Sequence, residues 1–285
     1  MKNLSVIFKI LFLAFVLSFA MLSCVINKDD SNDGEWIDPA TQTAQLTNGI
    51  VLTRSGGGNN ALPKKSPYSF EMYANDYSKV KMTWYGPDQG GGGAFKAEWS
   101  AYFLARLGYY WGNGGPYTNY KNIYADYNFK RSGTSPGGFI GVYGWSRNPS
   151  ASKDVEKLIE YYIVDDWFYS TQLDGSQIGQ GASNVVERGS FSVDGAAYKM
   201  YTAQRTNEPS IDGTKTFTQI FSVRQGKRTC GTISVTEHFK AWSKFITLGN
   251  MYEAKFKVET LGGTGNLDLT YLYLAQEDKQ RIANE

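Results

Sequence analysis

The feature that most constrains the fold is a series of short segments in which apolar and polar residues alternate. Clear examples are residues 80–84, 95–99, 190–193 and 267–272, with clusters of glycine or proline between them. Alternation with a period of two places successive side chains on opposite faces of a β-strand. Many short strands joined by turns are typical of a sandwich or barrel, so the sequence predicts an all-β domain.

Helical spacing occurs in one place. Large apolar residues recur three to four positions apart from Phe239 to Ile246. Ser234 and Glu237, which precede this stretch, have the spacing of a capping box at a helix N-terminus. The sequence therefore predicts a single α-helix packed against the sheets.

Two neighbouring segments, 143–149 and 158–167, are rich in aromatic residues, and the second also carries Glu160. On a regular strand Glu160 and Tyr162 point to one face, while Trp167 points to the other. A carboxylate therefore shares a surface with an aromatic ring. Such a surface suits sugars, whose C–H faces stack on rings while a nearby carboxylate reacts at the anomeric carbon.

Hydrolysis of a glycosidic bond needs a second carboxylate, because one group protonates the leaving oxygen while the other attacks or activates water. Glu259 is the best candidate, since it lies in an alternating segment that runs into the glycine-rich turn 262–265. Glu160 and Glu259 together predict a glycoside hydrolase.

Composition agrees with this interpretation and excludes other classes. The chain has 285 residues, which suits one β domain of about 200 to 250 residues, and its aromatic content of 15% indicates a ring-lined groove. The formal net charge is +2, and removal of a leader containing Lys2 and Lys9 would bring it to zero. Nucleic acid is therefore not an expected partner. With one histidine and two cysteines, the sequence predicts no metal site and no cofactor.

The order of the motifs is more specific than any one of them. The two aromatic segments are followed by residues 201–213, 217–225 and 254–265. In this order they resemble glycoside hydrolase family 11, the small β-jelly-roll endo-β-1,4-xylanases, and the resemblance spans about residues 67 to 274. It implies a β-jelly-roll sandwich of two twisted antiparallel sheets, with one helix and a "thumb" hairpin over a cleft.

The resemblance also implies a role for individual residues. Glu160 matches the nucleophile and Glu259 the acid/base of a two-step retaining mechanism, with the two carboxyl groups roughly 5 to 5.5 Å apart. The implied activity is endo-hydrolysis of β-1,4-xylosidic linkages, with xylan and xylo-oligosaccharides as partners. The residues that match substrate contacts are Tyr73, Tyr143, Tyr162, Arg205, Pro209 and Gln219.

Several positions depart from the family pattern. Tyr73 stands where a stacking tryptophan is usual, and Tyr102 stands where Asn or Asp lies beside the acid/base. Residues 150–157 are extra, and we expect a surface loop that alters the edge of the cleft. Lys257 replaces a small residue two positions before Glu259. On a regular strand it shares the face of Glu259 and lowers the pKa of that carboxyl group, whereas a bulge or a bend would turn it to solvent.

The N-terminal residues have the layout of a secretory signal. Two lysines precede the apolar run 10–22, which is too short to span a membrane, and Ser23 and Cys24 follow it. The sequence predicts an exported bacterial lipoprotein, anchored by a lipid on Cys24 at the outer surface or in the periplasm. An ordinary signal peptide and simple secretion are the alternative. The predicted parts are a signal peptide at 1–23, a flexible linker at 24–45, the catalytic domain at 46–276 and a tail at 277–285.

Two further consequences and two alternatives complete the prediction. If Cys24 is lipidated or removed, Cys230 has no partner, so we expect a fold without a disulfide. We also expect the protein to act as a monomer. A lipoprotein that binds xylan without cutting it is an alternative, although a binding module has no need of Glu160 and Glu259. A jelly-roll endo-β-1,4-glucanase is another, although Pro209 in its Pro-Ser-Ile motif favours xylan.

Overall fold

The structure is a computed structural model that describes residues 38–278 apart from 44, 56 and 57. The predicted signal peptide, Cys24, residues 25–37 of the predicted linker and residues 279–285 lie outside the described residues. Among the helices of the described part, none is long and apolar enough to cross a membrane. Residues 38–43 lie against the domain, where the Asn128 side chain donates a hydrogen bond to the Pro39 carbonyl at 2.9 Å.

The described residues form sixteen strands and two α-helices. In chain order these are β1 (Ile50–Val51), β2 (Asn60–Ala61), β3 (Ser69–Ala74), β4 (Val80–Trp84), β5 (Phe95–Trp99), β6 (Tyr102–Tyr110), β7 (Asn122–Gly133), β8 (Phe139–Arg147), β9 (Leu158–Trp167), α1 (Gly175–Ile178), β10 (Ser183–Val193), β11 (Ala196–Ser210), β12 (Gly213–Arg224), β13 (Cys230–Ser234), α2 (Val235–Trp242), β14 (Asn250–Met251), β15 (Glu253–Leu261) and β16 (Gly265–Glu277).

These strands form two sheets. The first has the order β1-β4-β5-β16-β7-β13, and the second has the order β10-β11-β12-β9-β8-β15-β6-β3-β2, with β14 beside β8. Neighbouring strands are antiparallel, except that β9 and β12 run parallel. The predicted all-β jelly roll of two sheets is therefore confirmed, with one parallel pair that the expected antiparallel sheets did not include.

The main core lies between the sheets, because alternate residues on the facing strands are apolar. On β5, Phe95 and Trp99 are buried, and on β15, Phe256 and Val258 are buried in the same cluster. Burial of large apolar side chains on both sides removes them from water and holds the sheets together. The predicted segments 80–84 and 95–99 coincide with β4 and β5.

The helix predicted behind Ser234 is α2. Its capping box is absent, because the Ser234 hydroxyl donates to Asp194 Oδ1 at 2.6 Å and makes no cap hydrogen bond. Trp242 is buried against the second sheet, where its indole N–H donates to the Ser222 hydroxyl at 2.9 Å. The prediction of a single helix is also wrong, since α1 forms one short turn that Asp174 caps.

Strand β9 contains a β-bulge at Asp165, where its register with β8 shifts by one residue. A bulge reverses the alternation of the side chains that follow it. Trp167 therefore lies in the same apolar cluster as Tyr162, and the expectation that these two rings face opposite ways is wrong. Tyr161, which precedes the bulge, faces the main core.

A polar network is buried around Asp165. The hydroxyls of Tyr127 and Tyr198 donate to its carboxylate at 2.6 and 2.7 Å, and Arg228 Nε donates at 2.7 Å. His238 packs edge-on against Tyr198, with the ring centroids 4.7 Å apart. Burial lowers the pKa of His238 to about 3, so the single histidine is a neutral residue of the core.

Cys230 is buried on β13 and is disulfide-bonded. The expectation that Cys230 has no partner and that the fold lacks a disulfide is therefore wrong. The other cysteine of the chain, Cys24, lies outside the described residues.

Candidate active site

The candidate site lies on the face of the second sheet that points away from the main core. Strand β9 is central, and Glu160 pairs with Trp145 on β8 and with Gln219 on β12. Cross-strand partners point to the same face of a sheet. The same alternation brings Tyr143 and Tyr162, which are also partners, to this face. We call the surface formed by Tyr143, Glu160, Tyr162, Gln219 and Glu259 the cleft face.

Glu160 is held by donors on both neighbouring strands. The Tyr143 hydroxyl donates to Oε1 at 2.6 Å, and Gln219 Nε2 donates to Oε2 at 2.6 Å. The residue is only 8% exposed. Burial raises the pKa of Glu160 above its usual value, although these two hydrogen bonds act in the opposite direction. Both oxygens are therefore fixed in position, as a nucleophile requires.

Glu259 has a different environment. The Tyr102 hydroxyl donates to its Oε1 at 2.7 Å, and the Lys257 ammonium donates to its Oε2 at 2.6 Å. Burial favours the neutral acid, but the lysine charge and these hydrogen bonds outweigh burial. They hold the pKa of Glu259 below its usual value. Tyr102 therefore lies directly beside Glu259, as the sequence predicted.

Lys257 faces the cleft, so the regular-strand alternative is correct and the solvent-facing one is wrong. Its side chain is 2% exposed, and its Nζ lies 4.3 Å from the ring centroid of Tyr143 and 4.2 Å from that of Tyr162. The residue opposite Lys257 on β8 is Gly141, which has no side chain to occupy this space. The Lys257 ammonium thus lies between the rings of Tyr143 and Tyr162 on one side and the Glu259 carboxylate on the other.

A second cation lies on the Tyr143 ring. The Arg106 guanidinium lies 4.5 Å from the ring centroid of Tyr143. Arg106 also pairs with Glu71 at 2.5 Å and with Glu253 at 3.2 Å. Lys255 pairs with Glu253 at 3.2 Å. The charges of these four side chains balance, and Arg106 is the member of the group that packs on the Tyr143 ring.

Aromatic rings line the same face. Tyr162 stacks on Phe221 with ring centroids 4.5 Å apart, and Trp145 meets Phe217 edge-on at 4.9 Å. Tyr143 meets Tyr162 at 5.0 Å. These rings are buried in one apolar cluster on the cleft face. Aromatic rings with hydroxyl groups at the rim are typical of sites that bind pyranose sugars.

The thumb is the hairpin of β11 and β12, whose tip is residues 210–213. Its Asp212 binds Arg147 on β8, with Nη2 and Oδ1 2.7 Å apart. The Arg147 guanidinium lies 4.6 Å from the ring centroid of Tyr252. Arg147 Nη1 also donates to the Gly112 carbonyl at 3.1 Å. The thumb tip is therefore connected to the opposite side of the cleft face.

The remaining predicted contacts lie around this centre. Tyr73 on β3 is 51% exposed, and its ring lies 5.9 Å from that of Tyr102. Arg205 and Pro209 lie on the β11 arm of the thumb. Arg205 pairs with Glu208 at 3.3 Å and donates to the Gln180 carbonyl at 3.3 Å. These three residues lie outside the hydrogen-bonded group around Glu160.

The extra residues 150–157 form a loop with a 3-10 turn at Asp154–Glu156. The Thr218 hydroxyl donates to the Val155 carbonyl at 2.9 Å. Thr218 precedes Gln219 on β12, so these neighbours point to opposite faces of the sheet. This hydrogen bond of the loop therefore lies on the face away from the cleft, and the effect of the loop on the cleft edge stays a prediction.

Sequence reasoning gave no role to Arg106, Arg147 or Trp145. Arg106 lies four residues after Tyr102 on one strand, so alternation alone places both on one face. Trp145 follows Tyr143 by two residues, so alternation also places these two side chains on one face. Arg147 could not be found in this way, because its partner Asp212 is 65 residues distant in the chain.

Residues 38–278, as far as the structure describes them, contain no group of three His, Cys, Asp or Glu side chains that could hold an ion. The ionisable groups of the cleft face are carboxyl, phenol, ammonium and guanidinium groups. They can supply a nucleophile, a proton and hydrogen bonds.

A two-sheet β sandwich with two carboxylates and several rings on one face of a sheet has the architecture of a glycoside hydrolase. Residues 65–270 match the family described as Glycosyl hydrolases family 11. The chain belongs to this family.

Comparison with individual proteins agrees with this assignment. The chain is 38% identical over 235 residues to "Endo-1,4-beta-xylanase S20" of Neocallimastix patriciarum, covering 81% of this chain and 64% of that protein. It is 37% identical over 216 residues to "Endo-1,4-beta-xylanase A" of Bacillus pumilus, covering 74% of this chain and 82% of that protein. The solved wild-type "ENZbleach xylanase" superposes with a TM-score of 0.80 at 43% identity, covering 91% of this chain and 100% of that chain.

Some relatives are much longer than the match. The chain is 37% identical over 233 residues to "Endo-1,4-beta-xylanase C" of Fibrobacter succinogenes, which covers 79% of this chain and 35% of that protein. The chain thus spans between 35% and 64% of the length of two of these curated relatives.

Proposed function

We propose that this protein hydrolyses internal β-1,4-xylosidic linkages of xylan by a two-step retaining mechanism, with Glu160 as nucleophile and Glu259 as acid/base. The observation that carries the proposal is the contrast between the two carboxyl groups. Glu160 accepts only neutral donors, from Tyr143 and Gln219. Glu259 accepts from one neutral donor and one cation on its other side. Two carboxyl groups on one face with different environments suit two different roles.

In the first step Glu160 attacks the anomeric carbon while Glu259 gives its proton to the glycosidic oxygen. The carbon–oxygen bond breaks, one part of the chain leaves as an alcohol, and an ester to Glu160 forms. In the second step the Glu259 carboxylate takes a proton from water, whose oxygen attacks the same carbon and releases Glu160. Two displacements at one carbon retain its configuration.

Xylan is the proposed substrate because family 11 relatives carry the name endo-1,4-beta-xylanase. The ring-lined cleft face and the thumb across it fit an extended polysaccharide. Such a site binds several sugar units and cuts within the chain. Xylo-oligosaccharides of sufficient length are therefore proposed as substrates too, and the protein is proposed to act as a monomer.

The test is replacement of each carboxyl group by an amide. Glu160→Gln and Glu259→Gln should each lower xylan hydrolysis by orders of magnitude while circular dichroism and Tm show a folded protein. Glu237→Gln, on the exposed side of α2, is the matched control and should keep the activity of the wild type. Near-normal activity in both active-site variants would contradict the assignment.

Substrate class is tested by the products. Arabinoxylan and carboxymethyl cellulose are digested in parallel, and the products are separated by size. We expect xylo-oligosaccharides from the first and no fragments from the second. Cleavage of carboxymethyl cellulose at a similar rate would indicate a glucanase, and binding of xylan without cleavage would indicate a binding protein.

We also propose that the protein is an exported lipoprotein, because an apolar run precedes Ser23 and Cys24. Fractionation of cells that express the wild type and Cys24→Ala tests this location. We expect membrane-bound activity only in the wild type. Cys230 is disulfide-bonded in the structure, and a thioether on Cys24 would exclude a bond between these two sulfurs. Equal distribution of both proteins would leave simple secretion.

A further inference from the structure

A buried lysine against the acid/base is a feature that the two-step reaction does not require. Lys257 Nζ lies 2.6 Å from Glu259 Oε2, and the lysine side chain is 2% exposed. A charged ammonium group is expensive to bury, and only a close anion and aromatic faces compensate for the lost water. The rings of Tyr143 and Tyr162 and the carboxylate of Glu259 provide this compensation. In the enzyme without substrate, Lys257 and Glu259 therefore form an ion pair.

Few other ionisable groups surround this pair. Tyr102 on β6 donates to the free oxygen of Glu259. Arg106 on β6 is paired with Glu71 and Glu253 and has a weaker effect on Glu259 than Lys257 has. The groups that face the pair from neighbouring elements are Tyr102 and Arg106 from β6, Tyr143 from β8, Glu160 and Tyr162 from β9, and Tyr169 after β9.

We propose that Lys257 is a positioning residue of the acid/base: its ammonium holds Glu259 as a carboxylate in the resting enzyme, and so sets the highest pH at which the leaving sugar can be protonated. The proposal rests on the assignment of Glu259 as acid/base. Lys257 keeps its own proton in both steps and acts on the sugar only through Glu259. Its effect passes through the charge and orientation of one carboxyl group.

The two steps respond to Lys257 in opposite ways. In the first step Glu259 must carry a proton, which then moves to the glycosidic oxygen as the carbon–oxygen bond breaks. A neighbouring cation opposes this protonated state. In the second step Glu259 must be a carboxylate that takes a proton from water, and the cation stabilises that state. Lys257 therefore favours hydrolysis of the glycosyl-enzyme and makes its formation the pH-sensitive step.

The pKa directions agree with this geometry. Burial raises the pKa of Glu160, while Lys257 and Tyr102 hold the pKa of Glu259 below its usual value despite burial. The reactive form needs an ionised Glu160 and a protonated Glu259. When the two carboxyl groups share one proton, it can lie on Glu160 or on Glu259. The reactive form, with the proton on Glu259, is the less populated of these two. Removal of the lysine charge should raise the reactive fraction above neutral pH.

The experiment compares three variants by kcat/KM on xylohexaose between pH 3 and pH 9. Lys257→Met removes the charge but keeps the length of the side chain, and Lys257→Arg keeps the charge. The matched control is Lys255→Met, because Lys255 is equally buried on the same face of β15 but pairs with Glu253. The basic limb is the part of the pH profile in which kcat/KM falls as the pH rises. We expect this limb to lie about one to three pH units higher in Lys257→Met than in the wild type. Lys257→Arg and Lys255→Met should keep the limb of the wild type.

A second substrate separates charge from structure. 2,4-Dinitrophenyl xylobioside releases a phenolate that needs no proton from Glu259. With this substrate the basic limb should be weak, and the Lys257→Met shift should disappear. If Lys257 had a merely structural role, Lys257→Met would change the pH profiles of kcat/KM on both substrates alike.

The outcomes distinguish this inference from the proposed function. If Glu259→Gln abolishes xylan hydrolysis but the basic limb of Lys257→Met does not move, the role of Lys257 is wrong and the acid/base assignment stands. If Glu259→Gln keeps its activity, the assignment itself is wrong. A Lys255→Met limb that moves as far as that of Lys257→Met would also overturn the inference. Tm of each variant establishes that the compared proteins are folded.

Discussion

Glu160 and Glu259 have chemically identical side chains, and their surroundings shift the pKa of the two carboxyl groups in opposite directions. Burial raises the pKa of Glu160 by more than its hydrogen bonds lower it. For Glu259, burial is outweighed by the Lys257 ammonium. Tyr143, Gln219 and Tyr102 donate from other strands, whereas Lys257 lies on the same strand as Glu259. The environment of each glutamate therefore depends on the assembled sheet.

Tyr143→Phe should move the acidic limb of the pH profile. The hydroxyl donates to Glu160 at 2.6 Å and lowers the pKa of that carboxyl group. Its loss should raise this pKa further. If Glu160 is the nucleophile, it attacks only as a carboxylate, so the acidic limb of kcat/KM should move to higher pH. Tyr161→Phe, which changes the neighbouring ring on the core face, should leave the limb unchanged. A shift of the Tyr143→Phe limb to lower pH would contradict this role.

Glu259→Ala should be rescued in part by azide. Without the acid/base, the glycosyl-enzyme formed from 2,4-dinitrophenyl xylobioside lacks a base to activate water. Azide is a small anion that attacks without general base help. NMR of the product should show a β-xylobiosyl azide, since two displacements retain configuration. An α-azide would be incompatible with Glu160 as nucleophile.

At the scale of elements, the thumb and the β-bulge shape the cleft face. The bulge at Asp165 turns Trp167 into the cluster that contains Tyr162. The tip of the thumb reaches β8, where Asp212 binds Arg147. The bulge fixes the position of Trp167, and the thumb contact fixes the positions of Asp212 and Arg147.

Loss of the contact at the thumb tip should weaken substrate binding more than the chemical step. Asp212→Asn removes the charge that binds Arg147 at 2.7 Å. The pair is partly exposed, so we expect a cost of ~1 kcal/mol or less, seen as an increase of up to about fivefold in KM on xylan with little change in kcat. Arg147→Gln should have a similar effect, and the double variant should be no worse than either. Lys215→Gln, on the same hairpin, is the control. Additive losses in the double variant would show that the two residues act separately.

At the scale of the whole molecule, the two sheets are joined by more than apolar contact. Asp165 on β9 of the second sheet accepts from Tyr127 on β7 of the first sheet at 2.6 Å. Arg228, just before β13, donates to the same carboxylate at 2.7 Å. A buried charge pair of this kind ties the two layers in one alignment, since neither ion has water as an alternative partner.

Asp165→Asn should destabilise the protein by about 3 to 5 kcal/mol, because Arg228 is left buried without its anion. The pKa of Asp165 is affected first by burial, which raises it, but Arg228 and the tyrosines bring it below its usual value. The stability that Asp165 contributes is therefore present above about pH 4 and is lost as pH falls further. Tm between pH 2 and pH 7 should fall more steeply for the wild type than for the variant. Parallel curves would contradict this account.

The sequence by itself determined the all-β class, the position of α2 and the two glutamates, because alternation and local motif order need no knowledge of distant contacts. Strand alternation also placed Lys257 on the face of Glu259. The same reasoning failed for Trp167, since one extra residue in β9 reverses every side chain that follows it. It failed for Ser234 as well, where Asp194 competes for the hydroxyl.

Only the tertiary structure decided which groups meet across strands. The donors to Glu160 lie 17 and 59 residues from it in the chain, and the thumb contact joins residues 65 apart. Such pairs form because strand order and register bring their side chains to one face. A sequence pattern records the face of a residue within its own strand but not the neighbour across the sheet. Burial, which sets the charge of Glu160, Glu259 and Lys257, likewise exists only after the sheets have assembled.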